Sequence, residues 1–251
     1  LRALLEAPTR PLIATALKPM GLSPSELAEL AGIYAASGID LIKDDHGLAD
    51  QLFCPFDERV KRCSDAVAEA NERSGNRCLY FPNITAGALD VFERARRAKE
   101  AGAGGLVISP GLTGLDTVTI LSADDRLGLP VMSHPALQGA FTTSESEGIA
   151  HGVIFGLLNR LAGADIVIFP SYGGRFTFTE SDCRELVAGA ERPFGGLKTI
   201  FPAPAGGMTL ERVHEMLRFY GQDVILLIGG DLHRAADRLE DSCRRFVELV
   251  R

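Results

Sequence analysis

The run Leu41-Ile42-Lys43-Asp44-Asp45-His46-Gly47 places an amine, two carboxylates and an imidazole directly after a short apolar stretch, and a glycine then breaks the element. That order predicts a buried strand whose C-terminal end opens into a polar site. Side chains two apart in a strand share a face, so Lys43 and Asp45 lie together. An ammonium is costly to bury, so Lys43 must be paired, neutral or chemically modified. A desolvated amine is nucleophilic. It can form a Schiff base, or take up CO₂ as a carbamate whose oxygens, beside Asp45, suit a hard cation such as Mg²⁺. The competing reading is a buried Lys43–Asp45 ion pair with no chemistry.

Other candidates stand at similar places. His134 follows a second apolar run and can serve as a general base, because an imidazole titrates near neutrality. A histidine bonded to a loop carbonyl is its plain alternative. Lys18, before Pro19, can polarise a carbonyl or donate a proton, or be a surface lysine. Gly206-Gly207 and Gly229-Gly230 follow two later apolar runs. Paired glycines let backbone N–H groups approach a phosphate, or simply make turns that need positive φ.

The elements that must position these groups alternate along the whole chain. Strands are predicted at Leu12–Leu17, Leu41–Lys43, Cys78–Phe81, Gly105–Ile108, Pro130–Met132, Ile166–Phe169, Thr199–Phe201 and Val224–Ile228. Helical spacing runs through Leu27–Ala36, Asp57–Ser74, Asp90–Ala103, Thr113–Ala123, Ile149–Ala162, Glu180–Ala190, Leu210–Tyr220 and Ala235–Val250. Gly38, Gly75, Gly102, Gly163 and Gly221 stand where helices should end. Eight units of about 31 residues imply a parallel sheet closed into a (β/α)₈ barrel, with chemistry at the C-terminal strand ends. A doubly wound open sheet is disfavoured because no G-x-G-x-x-G follows the first strand. There is no internal linker, so residues 1–251 read as one domain. The strand ends then supply Lys18; Lys43, Asp45 and His46; Asn83 with Thr85; Ser109; Ser133 and His134; Ser171 to Arg175; and the two glycine pairs.

Composition narrows the function classes. The chain is 46% apolar with a formal net charge of −7, which suits a large core and argues against a nucleic-acid partner. No apolar run is long enough to span a bilayer, so no membrane partner is expected. The N-terminus does not read as a signal peptide. Five scattered cysteines without C-x-x-C spacing read as free thiols of a cytoplasmic protein.

The string Ala16-Leu17-Lys18-Pro19-Met20-Gly21-Leu22-Ser23, followed by Ile42-Lys43-Asp44-Asp45, resembles the large subunit of RuBisCO and its RuBisCO-like relatives. Asn83-Ile84-Thr85-Ala86-Gly87, Leu161-Ala162-Gly163-Ala164-Asp165 and Ala205-Gly206-Gly207 extend the resemblance across the chain. It implies the same barrel and a carbamylated Lys43 holding Mg²⁺ with Asp45 and, in the place of the family's glutamate, His46. It further implies that His134 is the strand-5 histidine and that Gly206, Gly207, Gly229 and Gly230 bind phosphate. Asn83 and Arg175 join Lys18, Lys43 and His134 as catalytic candidates.

The departures choose the branch. His46 replaces a carboxylate, Lys18-Pro19-Met20 lacks a second lysine, Arg175 stands where carboxylases place a lysine, and Asp165-Ile166-Val167-Ile168 lacks their histidines. These remove the CO₂-fixing groups and leave the enolising ones. The resemblance therefore implies a form IV RuBisCO-like isomerase or tautomerase of a phosphorylated ketose, a methylthio-sugar phosphate of methionine salvage. It also implies a homodimer. The family's small N-terminal α+β domain is absent from this chain. A decarboxylase of a branched sugar-acid phosphate, and a sugar-phosphate-binding or scaffold barrel without turnover, are the alternatives. Phe141, Phe169, Tyr172 and Met208 are expected to line the mouth.

Overall fold

Eight short strands, all parallel where paired, follow one another with helical segments between them in a computed structural model that describes residues 1–144, 146–235 and 237–251. In chain order they are β1 (Leu12–Ala16), α1 (Pro24–Ala36), β2 (Leu41–Lys43), α2 (Phe56–Ser74), β3 (Leu79–Phe81), α3 (Val91–Glu100), β4 (Leu106–Ile108), α4 (Pro110–Thr113), α5 (Leu115–Ala123) and β5 (Val131–Ser133). A π-helical turn (Gly152–Leu157) runs into α6 (Leu158–Leu161), followed by β6 (Ile166–Pro170), α7 (Glu180–Glu191), β7 (Phe201–Ala205), α8 (Val213–Tyr220), β8 (Ile225–Leu227) and α9 (Leu239–Val250).

Two ladders, β8-β1-β2-β3 and β4-β5-β6-β7, make up the barrel wall. At one seam Val107 N–H donates to the Pro82 carbonyl and Ile84 N–H to the Val107 carbonyl, each at 2.9 Å. At the other seam β7 and β8 lie side by side, without a ladder among the described residues. The sequence of β7, Phe201-Pro202-Ala203-Pro204-Ala205, explains this. Phe201 N–H donates to the Asp165 carbonyl and the Ala205 carbonyl accepts from Ser171 N–H, so the odd-numbered residues bond β6. Pro202 and Pro204 therefore face β8 and have no N–H to give. The architecture is the expected (β/α)₈ barrel.

Strand and helix positions agree with the sequence pattern except where a local effect intervenes. The seventh strand begins at Phe201 instead of ending there, because its prolines occupy the side that needs no donor. The helix expected over Ile149–Ala162 starts as the π-helical turn, and Thr113–Ala123 is divided at Gly114. The last helix starts at Leu239 rather than Ala235, and position 236 of that expected helix lies outside the described residues. At α1 the Ser23 side chain accepts from Glu26 N–H while the Glu26 carboxylate accepts from Ser23 N–H, a reciprocal cap with Pro24 in the first turn. No helix among the described residues is long and apolar enough to cross a membrane. All five cysteines are buried and unpaired.

Alternation along the strands decides what faces the cavity. Leu12, Ala14, Leu41, Phe81, Val107, Met132, Ile166, Ile168, Ala203, Ile225 and Leu227 pack together inside the barrel, with Leu5 and Ala7 from the first segment. Their neighbours, such as Ile13, Ile42, Tyr80, Ile108, Val167 and Leu226, pack outward against the helices. Lys43 thus shares the inner face with Leu41, and Asp44 points out. Asp44 is fully buried there. It accepts from Arg59 Nε at 3.0 Å, Asn83 N–H at 2.9 Å and the Tyr80 hydroxyl at 2.7 Å. Arg59, also 0% exposed, donates further to the Cys54 and Ala49 carbonyls.

Arg59→Leu leaves the Asp44 carboxylate buried without its cation, so the variant is expected to lose about 3–5 kcal/mol of stability in urea unfolding. A loss below about 1 kcal/mol would show that the pair does not hold the end of β2 in place.

Candidate active site

A cavity of about 610 Å³ opens at the C-terminal ends of the strands. Lys18, Lys43, Asp45, His46, His134, Arg175, Gly206, Gly207, Gly229 and Gly230 all line it. Ten of the eleven residues singled out in the sequence therefore meet in one place, and Asn83 does not.

Lys43 is 4% exposed, with Nζ donating to the Asp44 carbonyl at 2.6 Å. Burial lowers its pKa to about 8, against the opposing pull of Asp45 and Asp44 and with a further push from Lys18. About a tenth of it is then neutral amine at pH 7, several hundred-fold more than for a free lysine. The expected partner, Asp45, is taken by another cation. Lys18 Nζ lies 2.6 Å from Asp45 Oδ2, and Gly47 N–H donates to Oδ1 at 2.9 Å. Burial pushes the Asp45 carboxyl up, but the Lys18 and Gly47 hydrogen bonds outweigh it and hold the group below the ordinary carboxylate range.

His46 and His134 stack, with centroids 4.6 Å apart and planes 11° from parallel. His46 Nδ1 is 3.6 Å from Asp45 Oδ1. Burial lowers the His46 pKa, and Lys43, Lys18 and Arg175 lower it further while Asp45 opposes them. For His134 burial is again the main cause, reinforced by Lys43 and His46, and the pKa falls to about 2. Its Nδ1 accepts from Ala136 N–H at 3.2 Å, which assigns the remaining proton to Nε2. The base near neutrality expected from the sequence is thus corrected: His134 is a neutral hydrogen-bond donor.

Asn83 is also reassigned. Its amide donates to the His46 carbonyl at 3.0 Å, its oxygen accepts from Thr85 N–H at 3.1 Å, and its own N–H reaches Asp44. It is buried behind the cavity and holds the turn that carries Asp45 and His46. Ser133 and Ser171 likewise turn outward, onto Asn159 at 2.6 Å and Tyr220 at 3.1 Å. Phe169 and Met208 do line the cavity, whereas Tyr172 packs on Phe219 and Phe141 is no part of the lining.

The two glycine pairs differ. Gly206 and Gly207 have φ of 82° and 109°, and a Cβ on Gly206 would lie 2.9 Å from the Phe176 ring. Their backbone requires glycine. At Gly229 and Gly230 a Cβ would meet only Lys18 Cε and Arg234 Nη1, each at 3.7 Å, so nothing in the protein itself demands glycine there. Arg234 lines the same end of the cavity and was not singled out in the sequence. The signal was present in Gly230-Asp231-Leu232-His233-Arg234: Asp231 accepts from Leu210 N–H at 2.9 Å and lies 3.5 Å from Arg234, so it ties the loop after β8 to the turn that leads into α8. Among the described residues no three His, Cys, Asp or Glu side chains cluster to hold a metal ion.

The sequence matches the family profile of the ribulose bisphosphate carboxylase large chain, catalytic domain, over residues 1–236. It is 43% identical over 250 residues to ribulose bisphosphate carboxylase-like protein 1 of Rhodopseudomonas palustris, covering 100% of this chain and 66% of that protein. It is 41% identical over 241 residues to a 5-methylthioribulose-1-phosphate isomerase of Rhodospirillum rubrum, covering 96% and 63%. The crystal structure of a Rubisco-like protein from Rhodopseudomonas palustris superposes with a TM-score of 0.90 at 44% identity, over 99% of this chain and 66% of that one. The chain thus spans somewhat less than two thirds of the relatives it matches.

Two depressed basic groups make stability depend on pH with a defined sign. Between about pH 8 and 10.5 the unfolded chain keeps a proton on Lys43 that the folded chain has lost, so stability rises with pH by up to about 1.4 kcal/mol per unit. His134 does the same between about 2 and 6.5. In buffer free of bicarbonate and metal, Lys43→Met should flatten the alkaline slope and His134→Gln the acidic one. An alkaline slope that persists in Lys43→Met rejects the buried neutral amine.

Proposed function

The chain belongs to the RuBisCO large-chain catalytic-domain family, and from that premise we propose that it is a RuBisCO-like enzyme that enolises a phosphorylated ketose, a methylthio-sugar phosphate such as its Rhodospirillum rubrum relative is named for. One observation carries the reading: a buried, largely unpartnered Lys43 faces the cavity beside the Lys18–Asp45 pair, and Gly206, Gly229, Arg175 and Arg234 line that same cavity. Residues 1–251 are read as one barrel domain, and a homodimer in the cytoplasm accompanies the reading.

The donor set fits a hard divalent cation. A carbamate on Lys43 adds anionic oxygens to those of Asp45, and the lowered pKa of the amine favours that modification. Carbamylated Lys43 and Asp45 would hold Mg²⁺, with His46 as a weaker nitrogen donor in the place of a carboxylate. Once bound, the ion supplies Lewis-acid polarisation of a carbonyl and its neighbouring hydroxyl.

The chain's own groups account for the remaining work. Backbone N–H groups at Gly206, Gly207, Gly229 and Gly230 hold the phosphate, with Arg175 and Arg234 neutralising its charge. The glycines after β8, which nothing in the protein requires, leave room for that oxyanion at the backbone. Lys43 takes the carbon-bound proton, through its amine or its carbamate oxygen, and returns it to the neighbouring carbon. The Lys18 ammonium stabilises the oxyanion that develops in between. His134 donates its Nε2 proton to a substrate oxygen without giving it up, because burial favours the neutral form of its imidazole. Asn83 fixes the turn that carries Asp45 and His46.

Incubated in D₂O with 5-methylthioribulose 1-phosphate, the full chain should wash deuterium into the substrate. Lys43→Ala should lower the exchange rate by about 10²-fold or more, and full exchange in that variant would reject the mechanism. Gly229→Ala is expected to fold with unchanged stability yet weaken phosphate-ester binding about tenfold, while Gly206→Ala is expected to lose about 1–2 kcal/mol of stability outright. Calorimetric binding and urea unfolding separate the two. Equal stability losses would remove the ligand role given to Gly229.

A further inference from the structure

One set of residues lining the cavity is wholly apolar. Leu137 and Ala140 from the segment after β5, Phe155 from the π-helical turn and Phe178 from the segment after β6 bring no charge and no hydrogen-bonding side chain. The Phe155 and Phe178 rings lie 5.7 Å apart at 58°. His151 braces both, at 6.1 Å from Phe155 and edge-on at 4.9 Å from Phe178, and its Nδ1 is 3.3 Å from Asp182 Oδ1. Asp182 in turn completes the cap of α7 with Thr179.

The turn that presents Phe155 is fixed from behind. A Cβ on Gly152 would fall 2.4 Å from the Glu185 carbonyl oxygen, and one on Gly156 2.8 Å from that of Leu186. A Cβ on Gly189 would fall 2.1 Å from the Gly152 oxygen. The backbone of the segment therefore lies directly against α7. Single π-helical turns are frequent at functional sites. Phe155, carried on this turn, is 1% exposed, with His151 and Phe178 beside it.

We propose that this wall is a subsite for an uncharged, apolar substrate tail, and that Phe155 and Phe178 set the length of tail accepted. The proposal rests on the enolising reading above, with the phosphate at the glycine pairs and the tail against the two rings. A second phosphate on that tail would be stripped of water at a wall that supplies no cation, so bisphosphates are excluded. A tail one or two methylenes too long meets rings that cannot retreat.

The test uses a series of 5-alkylthio-ribulose 1-phosphates with methyl, ethyl and propyl tails, with binding measured by calorimetry and turnover by deuterium exchange. The native chain is expected to bind the propyl compound about tenfold or more weaker than the methyl compound. Phe155→Ala and, separately, Phe178→Leu should narrow that gap to about threefold or less. The ratio is internal to each variant, so a general loss of active protein cancels, and Phe178→Leu, at a half-buried position, keeps the test open if Phe155→Ala does not fold. Unmoved binding ratios in a variant chain that folds overturn the tail subsite even while exchange persists. Shifted ratios with no exchange in the native chain support the subsite and reject the enolising reading alone.

Discussion

Asp44, sealed behind β2, accepts hydrogen bonds from Arg59, Tyr80 and Asn83, and the inward placement of Lys43 and Asp45 follows from that anchor. A carboxylate with no access to water must be fully satisfied where it lies, so the end of β2 cannot slide or twist by one residue. With Asp44 held outward, the pleat turns Lys43 and Asp45 inward. The same Asn83 that bonds Asp44 also holds the carbonyl of His46, so the turn after the strand is fixed by the same network. Packing behind the sheet thus sets chemistry in front of it.

Within the cavity the decisive arrangement is a competition for one carboxylate. Lys18 reaches over from the end of β1 and takes Asp45, assisted by Gly47 N–H. Lys43 is left with a backbone carbonyl and a low-polarity surround, so its ammonium form is disfavoured. The buried pair expected between neighbours in sequence is replaced by a pair between neighbours in space. Its effect is to divide two lysines by function. The half-exposed one is held by a carboxylate at the rim, and the buried one, with its pKa lowered, gives up its proton more readily and so is suited to taking a proton or CO₂. The stacked imidazoles extend the same logic, since burial beside the two lysines makes both rings resist protonation.

Much of this was legible in the residues. Period-two alternation, helix spacing and glycines at helix ends gave the order of elements. The concentration of polar residues after the strands located the mouth, and the motif strings named the family. Failures of the sequence reading came where two parts of the chain that are distant in sequence had to meet. The sequence pattern ends the seventh strand at Phe201, and only the position of β6 shows that Pro202 and Pro204 continue it on the side without donors. His134 read as a base, and only its neighbours Lys43 and His46, together with the Ala136 N–H, show that it is neutral and already protonated on Nε2. Ser133 and Ser171 stood at strand ends, but the register turned them outward, and the Asn83 amide is taken up by the His46 carbonyl and Thr85 N–H.

By itself, then, the sequence determined the barrel, its family and the set of residues gathered at one rim, because strand and helix periodicities and motif strings are local properties of the chain. Only the tertiary structure decided which lysine pairs with Asp45, which histidine nitrogen carries the proton, which glycines the backbone needs and where the apolar wall of the cavity runs. Each of those depends on desolvation and on distances between groups that the sequence keeps far apart, and both exist only once the strands have closed around the cavity.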